Sequence, residues 1–228
     1  MSRTPNIAID GPAGSGKSTV AREVACRLGF LYVDTGAMYR AVTYLALRSS
    51  VDFSDEAALA ALARKIKFSL VRYLKSGHVL LWCNGEDVTP YLRSQEVSQQ
   101  VARVAAVPEV RHHLVKYQRL FAKGGGVVME GRDIGTVVLP DAAYKFFLTA
   151  SLEVRLARRE RELMAQGRHV QRDELRKEFI FRDDMDRKRE VGPLKVAPEA
   201  VVIDCSDLSV EEVVNRIVNR VETSSGGG

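Results

Sequence analysis

Residues 7 to 20 read Ile7-Ala8-Ile9-Asp10-Gly11-Pro12-Ala13-Gly14-Ser15-Gly16-Lys17-Ser18-Thr19-Val20. An apolar, strand-like run from Ile7 to Ile9 meets a glycine-rich bend. Past Lys17 the pattern turns helical, with Val20, Val24 and Leu28 at four-residue spacing. Gly11 to Ser18 therefore reads as strand, phosphate loop, helix, and spells G-x-x-x-x-G-K-[ST] in the context that motif requires. The glycines let the backbone curl round an anion with successive N–H groups pointing inward, next to the positive end of the following helix. Lys17 adds an ammonium for the outer phosphates, and the Ser18 hydroxyl suits Mg²⁺. The natural occupant is a triphosphate. A glycine-rich turn without a ligand would not need strand, Lys-Ser pair and helix all in register.

The 228 residues can bury a full core, and the length suits one domain or one domain with a sizeable insert. An apolar fraction of 46% and a charged fraction of 28% are ordinary for a globular chain. The net charge of +5 and a pI near 9.2 favour anionic partners. Arginines outside the helical stretches fall beside phosphate-type motifs and form no long basic tract, so phosphorylated small molecules are preferred over nucleic acid as partners. Cys26, Cys83 and Cys205 are an odd, scattered set with no C-x-x-C pair, which suits a reducing compartment. His78, His112, His113 and His169 show no metal-ligand spacing, and no zinc site is expected. Met1 to Asn6 lack an apolar signal core, and no apolar run approaches membrane-spanning length; a cytoplasmic chain that does not enter membranes is expected. Residues 223–228 read as a flexible tail.

Leu31-Tyr32-Val33-Asp34 is a second short strand, which the intervening helix makes parallel to the first. Its carboxyl end then faces the phosphate loop, where ligands of open α/β sheets bind. Arg40 follows at the start of a helical stretch and reads equally as a second phosphate clamp or a surface residue, with Tyr39 as a core aromatic. Thr35 is the expected helix cap, its hydroxyl also able to serve a phosphate. Ser54-Asp55-Glu56 opens another helix. The period then changes to strands over Lys67 to Val71 and His78 to Cys83, joined through Lys75-Ser76-Gly77. Asn84-Gly85 is a hairpin signal with Asp87-Val88-Thr89 as partner, giving a small antiparallel meander set into a parallel fold. Residues 94–121 are helical, broken at Pro108, with Arg111 in the first turn after the break.

Gly126 to Glu130 is the third core strand, and it runs into Gly131-Arg132-Asp133-Ile134-Gly135-Thr136. Two glycines bracketing Arg-Asp at a strand end favour a loop whose backbone approaches a ligand over a plain surface ion pair. Glu130 reads either as a carboxylate that orients Mg²⁺ through water or as a strand-end group bonded to backbone. Tyr144 to Ala150 is the fourth strand. The next helix carries Arg155, Arg158, Arg159 and Arg161; after a break at Gln166-Gly167, a second charged helix carries Arg182-Asp183-Asp184-Met185-Asp186-Arg187-Lys188-Arg189. Most of these charges read as solvated ion pairs. The hairpin holds few apolar residues, so it is expected to be a mobile lid that brings arginines over the phosphate loop. Ala200 to Asp204 is the fifth strand, and Ser206 to Ser209 cap a last amphipathic helix. The fold class is α/β, a three-layer arrangement about a parallel sheet.

With the Lys17 loop, Asp34-Thr35-Gly36, Gly131-Arg132-Asp133 and Arg182-Asp183-Asp184 in this order, the chain from about Ile7 to about Val221 resembles the bacterial cytidylate kinases of the nucleoside monophosphate kinase family. The resemblance implies a P-loop kinase fold with five strands in the order 2-3-1-4-5, a monophosphate-binding insert and a helical lid. It implies one domain over 1–222, with a core of 5–48, 122–157 and 190–222, an insert at about 63–105 and a lid at about 158–189. It also implies transfer of the ATP γ-phosphate to CMP or dCMP with Mg²⁺, by a chain taken as a monomer. ATP then falls to Gly11, Pro12, Ala13, Gly14, Ser15, Gly16, Lys17, Ser18 and Thr19, with Mg²⁺ at Ser18. CMP falls to Thr35, Tyr39, Arg40, Arg111, Arg132, Asp133, Arg182, Asp186 and Arg189. Within that set Arg40, Arg132 and Arg189 hold the acceptor phosphate, Arg111 and Asp133 read the base, and Arg182 with Asp186 bind the sugar. Lys17, Arg132, Arg158 and Arg189 carry catalysis, Arg159 matching the lid position as well as Arg158 does. Ala102 stands where family members can carry a base-contacting serine, which shifts discrimination to Arg111 and Asp133 or to Ser98. The rivals are a kinase for UMP or a non-nucleotide alcohol, a nucleotide switch, and a nucleic-acid-binding ATPase; no N-K-x-D-like segment supports the switch.

Overall fold

The computed structural model describes residues 4–72, 79–165, 167–168 and 171–225. The expected join at Lys75-Ser76-Gly77, the strand start at His78, Gln166 of the helical break, His169, Met1 to Arg3 of the head and the last three glycines lie outside those residues. In chain order the elements are β1 (Ile7–Asp10), α1 (Lys17–Leu28), β2 (Leu31–Asp34), α2 (Thr35–Arg48), α3 (Glu56–Lys65), β3 (Phe68–Arg72), β4 (Val79–Cys83) and β5 (Glu86–Asp87). There follow α4 (Gln95–Ala106), α5 (Pro108–Ala122), β6 (Val127–Gly131), β7 (Tyr144–Thr149), α6 (Leu152–Ala165), α7 (Arg172–Lys188), β8 (Val201–Asp204) and α8 (Val210–Ser225).

β1 is buried along its whole length, as a strand must be when helices cover both faces of a parallel sheet. It is the central strand of a five-stranded sheet ordered β2-β6-β1-β7-β8, all pairs parallel. Counting only these five strands, the order is 2-3-1-4-5, as the resemblance implied. On one face α1 and α8 bury Val20, Val24, Val213 and Ile217 against Ile7, Ile9, Val128 and Leu148. On the other, Ala8, Val33 and Met129 pack with Val115, Ile134 and Val138. The register sets Asp34 beside Glu130 and Asp10 beside Gly131, so the carboxyl ends of three strands bring acidic groups and a glycine into one row.

The antiparallel meander is present as β3-β4-β5. Asn84 and Gly85 both take left-handed φ, at 52° and 85°, the two-residue turn that matches strand twist. The expected partner strand is shorter than Asp87-Val88-Thr89: β5 stops at Asp87, and a 3-10 turn, Thr89–Tyr91, follows. Pro90 cannot donate to a ladder, and the Thr89 hydroxyl instead accepts the Leu81 amide at 2.9 Å. A separate cluster, including Met38, Val42, Leu59, Leu81, Val101 and Leu114, joins this sheet to α2, α3, α4 and α5.

The expected cap of α2 is corrected. Asp34, not Thr35, is its N-cap, with Oδ1 accepting the Ala37 amide at 2.9 Å. Thr35 turns inward and donates to the Glu130 carbonyl at 2.7 Å. At the last helix the expected cap is Ser209, whose hydroxyl accepts the Glu212 amide at 3.2 Å while the Glu212 carboxylate accepts the Ser209 amide at 2.8 Å. No helix among the described residues is long and apolar enough to cross a membrane.

Candidate active site

The loop between β1 and α1 turns through positive φ at Gly11 (149°), Gly14 (73°) and Gly16 (95°). Gly11 admits no side chain, because a Cβ there would run into the Leu148 carbonyl of β7. Gly16 is the N-cap of α1 and offers no side chain to the first-turn amides, which leaves them to an anion. Lys17 is buried, and its Nζ donates to the Pro12 carbonyl at 2.6 Å. Burial, then the Arg132 guanidinium, pull its pKa down to about 7 against the opposing carboxylates of Glu130, Asp186 and Asp10.

Across the sheet end lies a second bay built from β2, α2, α5, β6 and α7. Arg40 Nη2 donates to Asp34 Oδ2 at 2.5 Å, and both side chains line the cleft, so Arg40 is no plain surface residue. Tyr39 is buried as expected, but its ring also supports Arg111, whose guanidinium carbon stands 5.3 Å from the ring centroid. Arg111 is buried and pairs with Asp133. Arg132 Nε donates to Asp186 Oδ2 at 2.7 Å, and Arg189 lies 3.5 Å from Asp133 Oδ1 and 3.4 Å from Asp186 Oδ1. Burial raises the pKa of Asp186, but Arg132, Arg182 and Arg189 outweigh it and hold the group below the carboxylate range. Arg182 is pulled down to about 10 by burial and by the cations Arg132 and Arg40. Positive charge is thus crowded where no equal number of carboxylates answers it.

Glu130 is buried, and its Oε1 accepts from the Tyr32 hydroxyl at 2.6 Å. The backbone partner weighed for it is therefore replaced by a side chain. Burial and the adjacent Asp34 carboxylate raise its pKa, while Lys17 and the Ser18 hydroxyl draw it down.

The helical hairpin sits on the phosphate loop. Its expected poverty in apolar contacts is a correction: Leu156, Leu163, Leu175 and Phe179 form a small core with Ala13. Arg155 Nη1 reaches the Ala13 carbonyl at 3.1 Å and binds Asp183 through two bonds at 3.1 and 2.7 Å. Of the two arginines that match the expected lid position, Arg158 reaches the loop, with Nη1 on the Ser15 carbonyl at 3.2 Å, while Arg159 donates to Glu162 at 3.0 Å on its own helix.

One cleft of about 770 Å³ gathers these groups. Ala13 to Thr19, Thr35, Tyr39, Arg40, Arg111, Arg132, Asp133, Arg158, Arg182, Asp186 and Arg189 all line it; Gly11 and Pro12 form the stem of the loop below. Ser98 and Ala102 line it too, Ser98 Oγ donating to the Ser94 carbonyl at 2.8 Å and keeping its lone pairs to accept. Four participants escaped the sequence reading: Asp10, the Arg155–Asp183 pair as a bridge to the loop, and Gly192. Gly192 has φ 61°, and a Cβ on it would collide with the Asp133 carboxylate and Arg111. The glycine in a charged stretch was the only signal for it.

Residues 7–223 match the cytidylate kinase family. The chain is 54% identical over 221 residues to a cytidylate kinase of Pelotomaculum thermopropionicum, an alignment that spans 97% of each chain. It is 50% identical over 226 residues to that of a Geobacillus species, spanning 99% of this chain and all of the relative. Among solved structures, an uncharacterised protein from Eubacterium ventriosum superposes with a TM-score of 0.51 at 12% identity, covering 96% of this chain and 99% of its own; that likeness concerns the fold alone. With a phosphate loop and a cation-rich bay facing one another across the sheet end, and relatives matched over nearly their full length, the chain belongs to the cytidylate kinase family.

Proposed function

We propose that the chain transfers the γ-phosphoryl group of ATP to CMP and dCMP, yielding CDP and dCDP. The observation that carries this reading is the crowd of cations Lys17, Arg40, Arg132 and Arg182 in one cleft, where burial and then Arg132 pull the pKa of Lys17 down, and burial with Arg132 and Arg40 that of Arg182. Two phosphate groups brought end to end supply the missing negative charge.

The donor triphosphate takes Gly11 to Thr19, its oxygens giving Lys17 a charged acceptor in exchange for the Pro12 carbonyl. Arg40, Arg132 and Arg189 take the acceptor phosphate. Arg182 and Asp186 take the sugar, with Thr35 and Tyr39 completing that wall. Asp133 accepts from the cytosine amino group while Arg111 donates to the ring nitrogen and carbonyl. Uracil reverses the donor and acceptor there, and a buried carboxylate facing a carbonyl oxygen disfavours it by roughly a hundredfold. Arg158 neutralises charge on the transferring group from the lid side. No strong base is needed, because the acceptor is already an anion. Catalysis is positioning plus charge neutralisation.

Hard oxygen donors, the Ser18 hydroxyl near the Glu130 carboxylate, suit Mg²⁺ with phosphate oxygens completing its shell. Among the described residues no group of three or more carboxylate, histidine or cysteine side chains could hold a metal without them. When bound, Mg²⁺ would be held from the Ser18 and Glu130 side and would supply neutralisation of phosphate charge. The same reading divides one domain, 1–222, into a core of 5–48, 122–157 and 190–222, an insert of about 63–105 and a lid of about 158–189, followed by a tail. It takes the chain as a cytoplasmic monomer acting on free nucleotides, not nucleic acid. The test is a panel of CMP, dCMP, UMP and AMP with ATP and Mg²⁺. CDP and dCDP should dominate; a chain that leaves CMP unchanged or prefers UMP sinks the assignment.

A further inference from the structure

Asp10 ends β1 and immediately precedes the phosphate loop, yet its carboxylate points away from it. Oδ1 accepts the Ile134 amide at 2.8 Å and Oδ2 the Gly135 amide at 2.7 Å. These two amides directly follow Asp133 and open the π-helical turn Ile134–Val138. The same turn closes back onto Asp133, whose carbonyl accepts from Val137 at 2.8 Å and Val138 at 3.2 Å. The backbone around Asp133 is therefore gripped on one side by its own turn and on the other by Asp10. Strand pairing alone ends one step earlier, at Asp10 against Gly131.

We propose that Asp10 is a positioning residue for base selection: it ties the Arg132-Asp133 loop to the root of the phosphate loop and so fixes where the Asp133 carboxylate meets the base. The inference rests on the base-reading role given to Asp133 above. Two amides held through two separate oxygens call for a carboxylate, since an asparagine offers only one acceptor atom. Asp10 carries its carboxylate at 4% exposure, beside a second one. Burial raises its pKa to about 6, the two amide bonds pull the other way, and Asp133 adds to the rise. Such a group strains stability for the sake of geometry.

The experiment uses the full chain with Asp10→Asn, Asp10→Ala and, as control, Asp133→Ala. The readout is the ratio of kcat/KM for CMP to that for UMP, which does not depend on how much of a variant folds. Asparagine keeps one acceptor and loses the other, so the ratio should fall about tenfold in Asp10→Asn and further in Asp10→Ala. The KM for ATP should stay within about twofold of the parent, and Asp10→Asn should melt no lower than the parent at pH 8. If Asp133→Ala collapses the ratio while both Asp10 variants keep it, the positioning role falls and the base reading stands. If Asp133→Ala leaves the ratio intact, the base reading falls and takes this inference with it. A rise in the KM for ATP that matches the fall in the ratio would also overturn it, since Asp10 would then act on the donor side.

Discussion

Replacing Arg155 with methionine should cost much of the fold's stability although Arg155 does not line the cleft. The Arg155 and Asp183 side chains are only 7% and 9% exposed, and their two mutual bonds at 3.1 and 2.7 Å join the two helices of the hairpin. Arg155 also donates to the Ala150 carbonyl at 3.2 Å and the Ala13 carbonyl at 3.1 Å, and stands 5.7 Å from the centroid of the Phe179 ring. Methionine fills most of the aliphatic volume but strands the Asp183 carboxylate in a dry site, a loss of about 3–5 kcal/mol. At about 2–4 °C per kcal/mol for a chain of this size, the melting temperature should drop by roughly 6–20 °C. Urea unfolding measures the free energy directly, and the KM for ATP should rise because Ala13 loses its anchor. The double variant Arg155→Met/Asp183→Leu removes both charges and should recover most of the loss. A single variant within about 1 kcal/mol of the parent, or a double variant worse than the single, would refute the reasoning.

Three further outcomes are expected. Lys17→Ala should lower kcat by about a hundredfold or more while the melting temperature holds, because the amine is buried against a mere carbonyl; a modest kcat change in coupled assays would contradict its role. Gly192→Ala should raise the KM for CMP far more than that for ATP, since the new methyl group has no room beside Asp133 and Arg111; equal effects on both would place the clash elsewhere. The third concerns pH. Asp10 binds its proton more tightly folded, at about 6, than its ordinary 3.8, so the folded state holds more protons between those values and stability falls as pH rises through them. The parent should therefore lose about 3 kcal/mol relative to Asp10→Asn between pH 3 and pH 7, with little further change below pH 3. A pH-independent difference in urea midpoints would show that the Asp10 carboxylate is not so buried in solution.

The fold was largely legible because its signals are local. Strand, loop and helix in residues 7 to 20 are adjacent, and the change of period at Lys67 marks the meander without help from the rest of the chain. Caps were read less well. Asp34 looked like the last strand residue, and nothing in Asp34-Thr35 says which side chain turns back to the helix. The hairpin's small core was hidden for a different reason: Leu156 and Leu163 on one helix meet Leu175 and Phe179 on the next only once the hairpin has closed. Phosphate-binding types were legible through the glycines and arginines, which advertise their chemistry. Positioning groups were not. Asp10 acts on amides 124 and 125 residues away, and Arg155 on a carboxylate 28 away and a carbonyl 142 away; pairings across such spans leave no mark in spacing.

The five parallel strands close up side by side although the chain makes two long excursions between them, one from α3 to α5 and one through α6 and α7. Each excursion leaves the carboxyl end of one strand, β2 or β7, and returns to the amino end of the next, β6 or β8, and its residues line the cleft without adding a strand to the core. The excursions supply Arg111, Arg182 and Arg189 to the acceptor bay, while Arg40, Arg132 and Asp133 stay with the core. The phosphate loop is thus built into the central strand's own exit, and the surfaces that face it are borne on chain that the sheet does not need for its pairing.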